Sequence, residues 1–216
     1  MSAENYRYQF VAGNLALDFI NTVAYRFLPE KKKDHLHSTE DVRRWAHQAH
    51  LPDRHAINSC PRMSSMTLQR IRGVREQLFT VFRAIAKDEP VSAYALRRVG
   101  KALHDCQAKE CLSAQGMEVR WTWRPSAGYS DFLLFPILTA AIDLLTCGSR
   151  SLVRQCADEG CGWLFLDRSN AGKRRWCSMG DCGNRNKARE HYRRKAGSIL
   201  KIRRRAKLTA QIPRSP

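Results

Sequence analysis

The chain has 216 residues, 43% hydrophobic and 27% charged, a balance that excludes both a disordered tail and a membrane-embedded protein. Lys and Arg number 38 against 20 Asp and Glu, a formal charge of +18. A surface that basic calls for a polyanionic partner, with nucleic acid first among the candidates.

The opening stretch mixes Glu4, Asn5, Arg7, Asn14 and Asp18 among its apolar residues, unlike an export signal, so a reducing cytoplasmic setting is expected. Asn14, Asp18, Asn21 and Thr22 fall within about a turn of one short helix, with Asp18 and Thr22 at i and i+4. They suit either a polar pocket for a small effector molecule or a buried network that fixes the helix. Ser38-Thr39-Glu40-Asp41 offers a cap and first-turn acids, and Val42, Trp45, Ala46 and Ala49 follow at helical spacing up to Pro52. From Thr67 to Lys87, seven apolar residues between Leu68 and Ile85 form one helical stripe. Val91 to Cys111 reads as a further helix capped by Ser92, Val119 to Trp123 as a short alternating strand, and Phe132 to Thr146 as a buried helix. The apolar run through Cys147 contains Pro136 and Asp143 and is short for a bilayer span, so no membrane association is expected.

Charge divides the chain. Residues 151–216 hold 17 Lys and Arg against 5 Asp and Glu, a net +12, which leaves +6 for the first 150. We therefore expect a mainly α-helical domain over 1–150, a small cysteine-bearing finger over 151–196, and a basic helix and tail over 197–216.

Within the finger, Cys156 and Cys161 are separated by four residues, Cys177 and Cys182 by four, and the pairs by fifteen. Two short knuckles joined by a hairpin-length linker can bring four thiolates around one ion, the closed soft shell that suits a single structural Zn²⁺. Iron and a pair of disulfides use the same residues, and a reducing compartment disfavours the second. Trp163 to Leu166 and Arg174 to Trp176 read as the two strands of the linker hairpin, and Asn184 as the cap of a helix through Lys195. This order of knuckle, hairpin, knuckle and helix is treble-clef-like or zinc-ribbon-like. Cys106 and Cys111 repeat the knuckle spacing without a second pair and read, with Cys60 and Cys147, as packed or free thiols. His35, His37, His47 and His50 straddle a helix start with no carboxylate to complete a metal set.

Arg185, Arg189 and Arg193 recur every four residues. With Arg174, Arg175, Lys187, Arg194 and Lys195 they form a basic surface suited to phosphate contact. A second basic helix is expected over Ile199–Leu208. A helix fits the major groove, and exposed aromatic platforms are scarce, so duplex DNA is favoured over RNA.

These residues resemble a known family. Cys161-Gly162-Trp163-Leu164-Phe165-Leu166-Asp167-Arg168-Ser169, Arg175-Trp176-Cys177-Ser178-Met179 and Cys182-Gly183-Asn184-Arg185 are similar to the CGNR zinc-finger proteins. Gly13-Asn14-Leu15-Ala16-Leu17-Asp18-Phe19-Ile20-Asn21-Thr22 resembles the signature of the ABATE domain that usually precedes that finger. The resemblance implies a stress-induced bacterial transcription regulator whose zinc ligands are Cys156, Cys161, Cys177 and Cys182. The expected function is zinc-dependent, nucleoid-associated DNA binding under a helical regulatory domain. The alternatives are an RNA- or ribosome-associated zinc module and a zinc-stabilised protein-interaction module. No Gly-rich phosphate loop, nucleophile–base pair or open-coordination metal motif is present, so no enzymatic activity is expected.

Overall fold

The computed structural model describes residues 6–51 and 64–195. Chain contacts divide it into two compact units, Met1–Cys177 and Ser178–Pro216. Cys60 and the basic segment Ile199–Leu208 lie outside the described residues.

The first unit begins with α1 (Leu15–Ile20), where the Asn14 side chain accepts from the Ala16 and Leu17 amides. A short antiparallel pair follows, β1 (Val23–Ala24) with β2 (Lys33–Asp34). Ser38 and Asp41 form a reciprocal capping box at the start of α2 (Thr39–Gln48). Ser64 caps α3 (Ser65–Ala86), and Ser92 caps α4 (Ala93–Gln107) as the sequence predicts. The hairpin of β3 (Glu110–Gln115) and β4 (Glu118–Trp123) leads into α5 (Tyr129–Thr146). Then come a 3-10 turn over Gly148–Leu152 and the antiparallel pair β5 (Val153–Gln155) and β6 (Leu164–Leu166). In the second unit, a π-turn over Met179–Gly183 runs into α6, helical over residues 184–195.

Helix α5 is the hub of the first unit, packing against α1, α3 and α4. Phe19, Trp45, Leu78, Phe82 and, on α5 itself, Leu134, Ile137 and Leu138 are almost wholly buried. It has the length and composition of a membrane span, but half of it is buried within the fold. Strand β6 joins the same core: Leu164 and Phe165 are fully buried, and the strand packs on α1 and α3. The first half of the cysteine finger is thus built into the helical domain's core.

Three expectations about local structure need correction. The helix predicted over Val91 to Cys111 stops at Gln107, and Cys111 instead lies in β3 opposite Thr122. Strand β4 must pair with something, and cross-strand bonding overrides the helical signal of residues 110–115. Arg174 to Trp176 is not a strand; the partner of β6 is β5, which precedes the first knuckle. Residues 174–176 are held by other bonds: the Asp167 carboxylate accepts from the Arg174 amide, and the Arg175 carbonyl accepts from Ala157. Asn184 is the first helical residue and not the cap, while the Ser178 hydroxyl accepts from Asp181 at the head of the π-turn.

An ion network centred on the buried Arg75 fastens α3 to Asp34 of β2 and to Arg26 after β1. The Arg75 guanidinium, 2% exposed, donates to both Asp34 oxygens at 2.7 and 2.6 Å and to Glu76 at 2.9 Å. Glu76 in turn accepts from Arg26 at 2.6 Å. Burial alone would raise the Asp34 carboxyl, but the Arg75 guanidinium, the Leu36 amide and the Arg72 charge together hold the group below the ordinary aspartate range.

Candidate metal centre

Strand β5 delivers Cys156 into a tight loop whose ends are pinned by the Cys156 amide donating to Trp163 O at 2.8 Å. Within the loop, the Cys161 amide donates to Asp158 O at 2.9 Å and the Gly160 amide to the Asp158 carboxylate. The residues after β1 cover this knuckle. Leu28 packs on Gly160, and the Arg26 amide donates to Cys161 O at 3.3 Å. Gly162 has φ +75°, and a Cβ added there would lie 2.8 Å from that of Arg26. We expect Gly162→Ala to destabilise the protein by about 2 kcal/mol or more, from left-handed strain plus this clash, measured by denaturant unfolding.

Cys177 returns to the knuckle, its amide donating to Cys156 Sγ at 3.5 Å and its sulfur 3.7 Å from that of Cys161. In the second unit Cys182 sits in the π-turn, where Arg185 Nη2 reaches its sulfur at 2.9 Å. All four cysteines are buried, and their sulfurs lie within 4.8 Å of one another. None forms a disulfide. Ligands about 2.3 Å from a tetrahedral centre stand about 3.8 Å apart, so the 3.7 Å separation fits a tetrahedral Cys₄ zinc shell. An amide and a guanidinium directed at sulfur suit thiolates, whose charge such donors offset. Among the described residues these four are the one cluster of His, Cys and carboxylate groups close enough to hold an ion.

A family model whose description is a putative stress-induced transcription regulator, ABATE, matches residues 13–148. The chain belongs to the ABATE family. A CGNR zinc-finger model matches residues 152–195, the span that contains all four cysteines. No curated protein matches the chain.

In this ABATE chain the polar residues of α1 face protein partners. Asn14 caps α1 and also donates to Ala140 O at 3.2 Å. Asp18 accepts from the Ala12 amide at 3.0 Å. Asn21 makes a two-way bond to the finger, donating to Leu164 O at 2.8 Å and accepting from Leu164 N at 2.9 Å. Thr22 donates to Phe19 O and accepts from Arg75 at 3.1 Å. The Ala12 carbonyl accepts from Leu166 and the Val23 carbonyl from the Trp163 indole, so α1 and its flanks meet β6 along its length. Sequence spacing gave no sign of the Asn21–Leu164 pairing across 143 residues.

Burial pushes the Asp18 carboxyl from the ordinary 3.8 to about 7, against the opposing effect of the Ala12 and Val11 amides. A folded value above the unfolded one means that the neutral group favours the fold. That contribution is complete below about pH 4 and disappears as pH rises through 7. Asp18→Asn removes this dependence. The stability of the variant relative to the parent should climb between pH 4 and 7 and then level off, as read from denaturant midpoints; a pH-independent difference would refute it.

The basic residues divide into two groups. Arg174 is turned inward: Nε donates to Trp176 O and Nη2 to Val11 O and Cys177 O, with the guanidinium 4.3 Å from the Phe165 ring centroid. Arg185 is half-buried against Cys182. Arg175 is exposed over the Trp176 ring. Lys187, Arg193, Arg194 and Lys195 are exposed on α6, Arg189 is half-buried, and Arg194 pairs with Glu190 at 3.4 Å. Ala188 and Tyr192 on α6 are exposed within the second unit.

Proposed function

We propose that this ABATE chain is a zinc-dependent transcription regulator that binds duplex DNA through α6. One observation carries the reading: six Lys and Arg against one Glu occupy residues 184–195, and four of the six cations are exposed. A helix that basic repels itself in solution, and phosphates relieve the repulsion. Zinc would hold the four thiolates together and so fix the turn from which the helix starts. Phosphate contacts supply affinity, and an exposed Arg or Lys reaching a guanine edge supplies specificity. Arg174 and Arg185 act from within the fold on this reading, so the contact set is Arg175, Lys187, Arg189, Arg193, Arg194 and Lys195. The chain acts as a binding protein in the bacterial cytoplasm, with no catalytic role.

Fluorescence anisotropy with duplex DNA tests this. If about five phosphates are neutralised, log K should fall against log salt with a slope near −4.5. Lys187→Glu with Arg193→Glu should weaken binding to any sequence and flatten that slope by about 2. A salt-independent affinity, or full binding by this double variant, would overturn the reading.

One observation favours a second reading. Tyr192 is 70% exposed on the basic helix, a platform on which an unpaired base can stack. If structured RNA outcompetes duplex DNA at matched salt, and Tyr192→Ala removes that preference, the partner is RNA.

A further inference from the structure

The hairpin of β3 and β4 stands on the first unit as a two-stranded sheet, so among the described residues each strand has one outer edge with no strand beside it. Its base is secured by Trp123, whose ring packs edge-on against Phe132 at 4.8 Å and Phe135 at 5.6 Å. Its distal half has no such cover. Leu112 is 61% exposed, Val119 67% and Trp121 70%, and Met117 at the tip is fully exposed. Leu112 lies directly opposite Trp121, and Ala114 opposite Val119, so these side chains share one face. Residues 110–123 contain no Lys and no Pro, the residues with which monomeric proteins blunt a free edge. An isolated hairpin is marginal in water, and a third or fourth strand stabilises it.

The charges on β4 say what that added strand is. Glu118 and Arg120 flank Val119 on the face opposite the apolar one. Antiparallel pairing of β4 with the β4 of another copy keeps faces matched only in registers that shift by two residues. A two-fold axis through Arg120 would set like charges against each other. An axis through Val119 sets Glu118 opposite Arg120 of the second copy and Arg120 opposite its Glu118. It also sets Val119 opposite Val119 and Met117 opposite Trp121. Strand β3 carries one charged residue, Glu110 at its base, and offers no such self-complementarity. The geometry points to a homodimer in which two β4 edges join into one four-stranded sheet centred on Val119, an isologous interface specified by two crossed Glu118–Arg120 pairs.

Sedimentation velocity and light scattering on the full chain, without nucleic acid, test this. The parent protein should run at twice 24.8 kDa in the micromolar range and dissociate on dilution. Glu118→Arg alone and Arg120→Glu alone each replace two attractions by two repulsions and should weaken self-association about tenfold or more. The charge-swapped double variant, Glu118→Arg with Arg120→Glu, restores both pairs and should recover the dimer. Trp121→Ser should weaken it without touching charge. Far-UV circular dichroism and melting temperature, unchanged in the monomeric forms of these surface variants, separate lost pairing from lost folding. A parent that is monomeric throughout the range, a dimer indifferent to the single reversals, or a double variant as weak as the singles would overturn the proposal.

Discussion

Stripping zinc from the protein should unfold residues 153–195 and loosen residues 21–28 as well. Structural zinc in small fingers contributes about 10–16 kcal/mol of apparent folding free energy, as much as the whole stability of an ordinary domain. Four buried cysteines without an ion would leave sulfurs crowded within 4.8 Å of each other and no centre to hold them. The disturbance should not stop at the knuckles, because Arg26 and Leu28 lie on the first one and Asn21 and Val23 bond to residues between the cysteines. Helices α4 and α5, which contain none of the four clustered cysteines, should keep their protection. Hydrogen exchange read by mass spectrometry, before and after chelation, checks this. Unchanged protection at Cys156, Cys161 and Leu164 after complete metal removal would contradict it.

The second large effect is expected at a residue with no part in metal binding. Asn21→Ala removes both bonds to Leu164 and leaves a buried amide and a buried carbonyl without partners. Each such group costs about 1–3 kcal/mol, so the expected loss is about 3 kcal/mol or more. For a chain of this size that corresponds to a melting temperature lower by about 6–12 °C. Asn21→Asp keeps the acceptor but sets a carboxylate against the Leu164 carbonyl, and should be no better than alanine. Calorimetry with both variants zinc-loaded measures the effect. A shift below a degree or two for Asn21→Ala would mean that α1 and β6 do not depend on this contact.

The difference between Asn21 and the cysteines shows what a sequence of this kind discloses. Ser38 and Ser92 could be read as caps because a capping residue and its target lie three residues apart, and the stripe along α3 because helical periodicity is local. The two cysteine pairs were legible for a similar reason, since ligand geometry fixes their spacing. Asn21, Arg75 and Asp34 are different. Each is polar, and nothing near it in sequence identifies its partner, so for Asn21 a pocket reading stays open beside the structural one. The pairing of β6 with β5 instead of Arg174–Trp176 was hidden likewise. Neither three-residue segment carries an alternation that sets it apart as the strand, and in the fold Asp167 and Ala157 draw residues 174 and 175 into other bonds. Arg174 and Arg185 could not be separated from the outward-facing cations by residue type, because burial and hydrogen bonding make the distinction.

The chain's organisation follows from these contacts. The first knuckle and β6 fold as part of the helical unit, so the ABATE region and the finger are joined by a shared core and by buried hydrogen bonds. A disturbance of α1 has a direct route to the segment bearing Cys156 and Cys161. In the proposed regulator, that is where a signal received by the helical domain would meet the metal-bearing segment.

One zinc ion held by Cys156, Cys161, Cys177 and Cys182 is the feature on which the rest of the molecule's behaviour depends. Zinc-edge X-ray absorption on the purified chain, with metal content counted by mass spectrometry, tests it most directly. One zinc per chain with four sulfur neighbours at about 2.3 Å is expected, and loss of that shell in Cys177→Ser. Absence of zinc, a shell of nitrogen and oxygen, or disulfides among these four cysteines in protein kept reduced would contradict it.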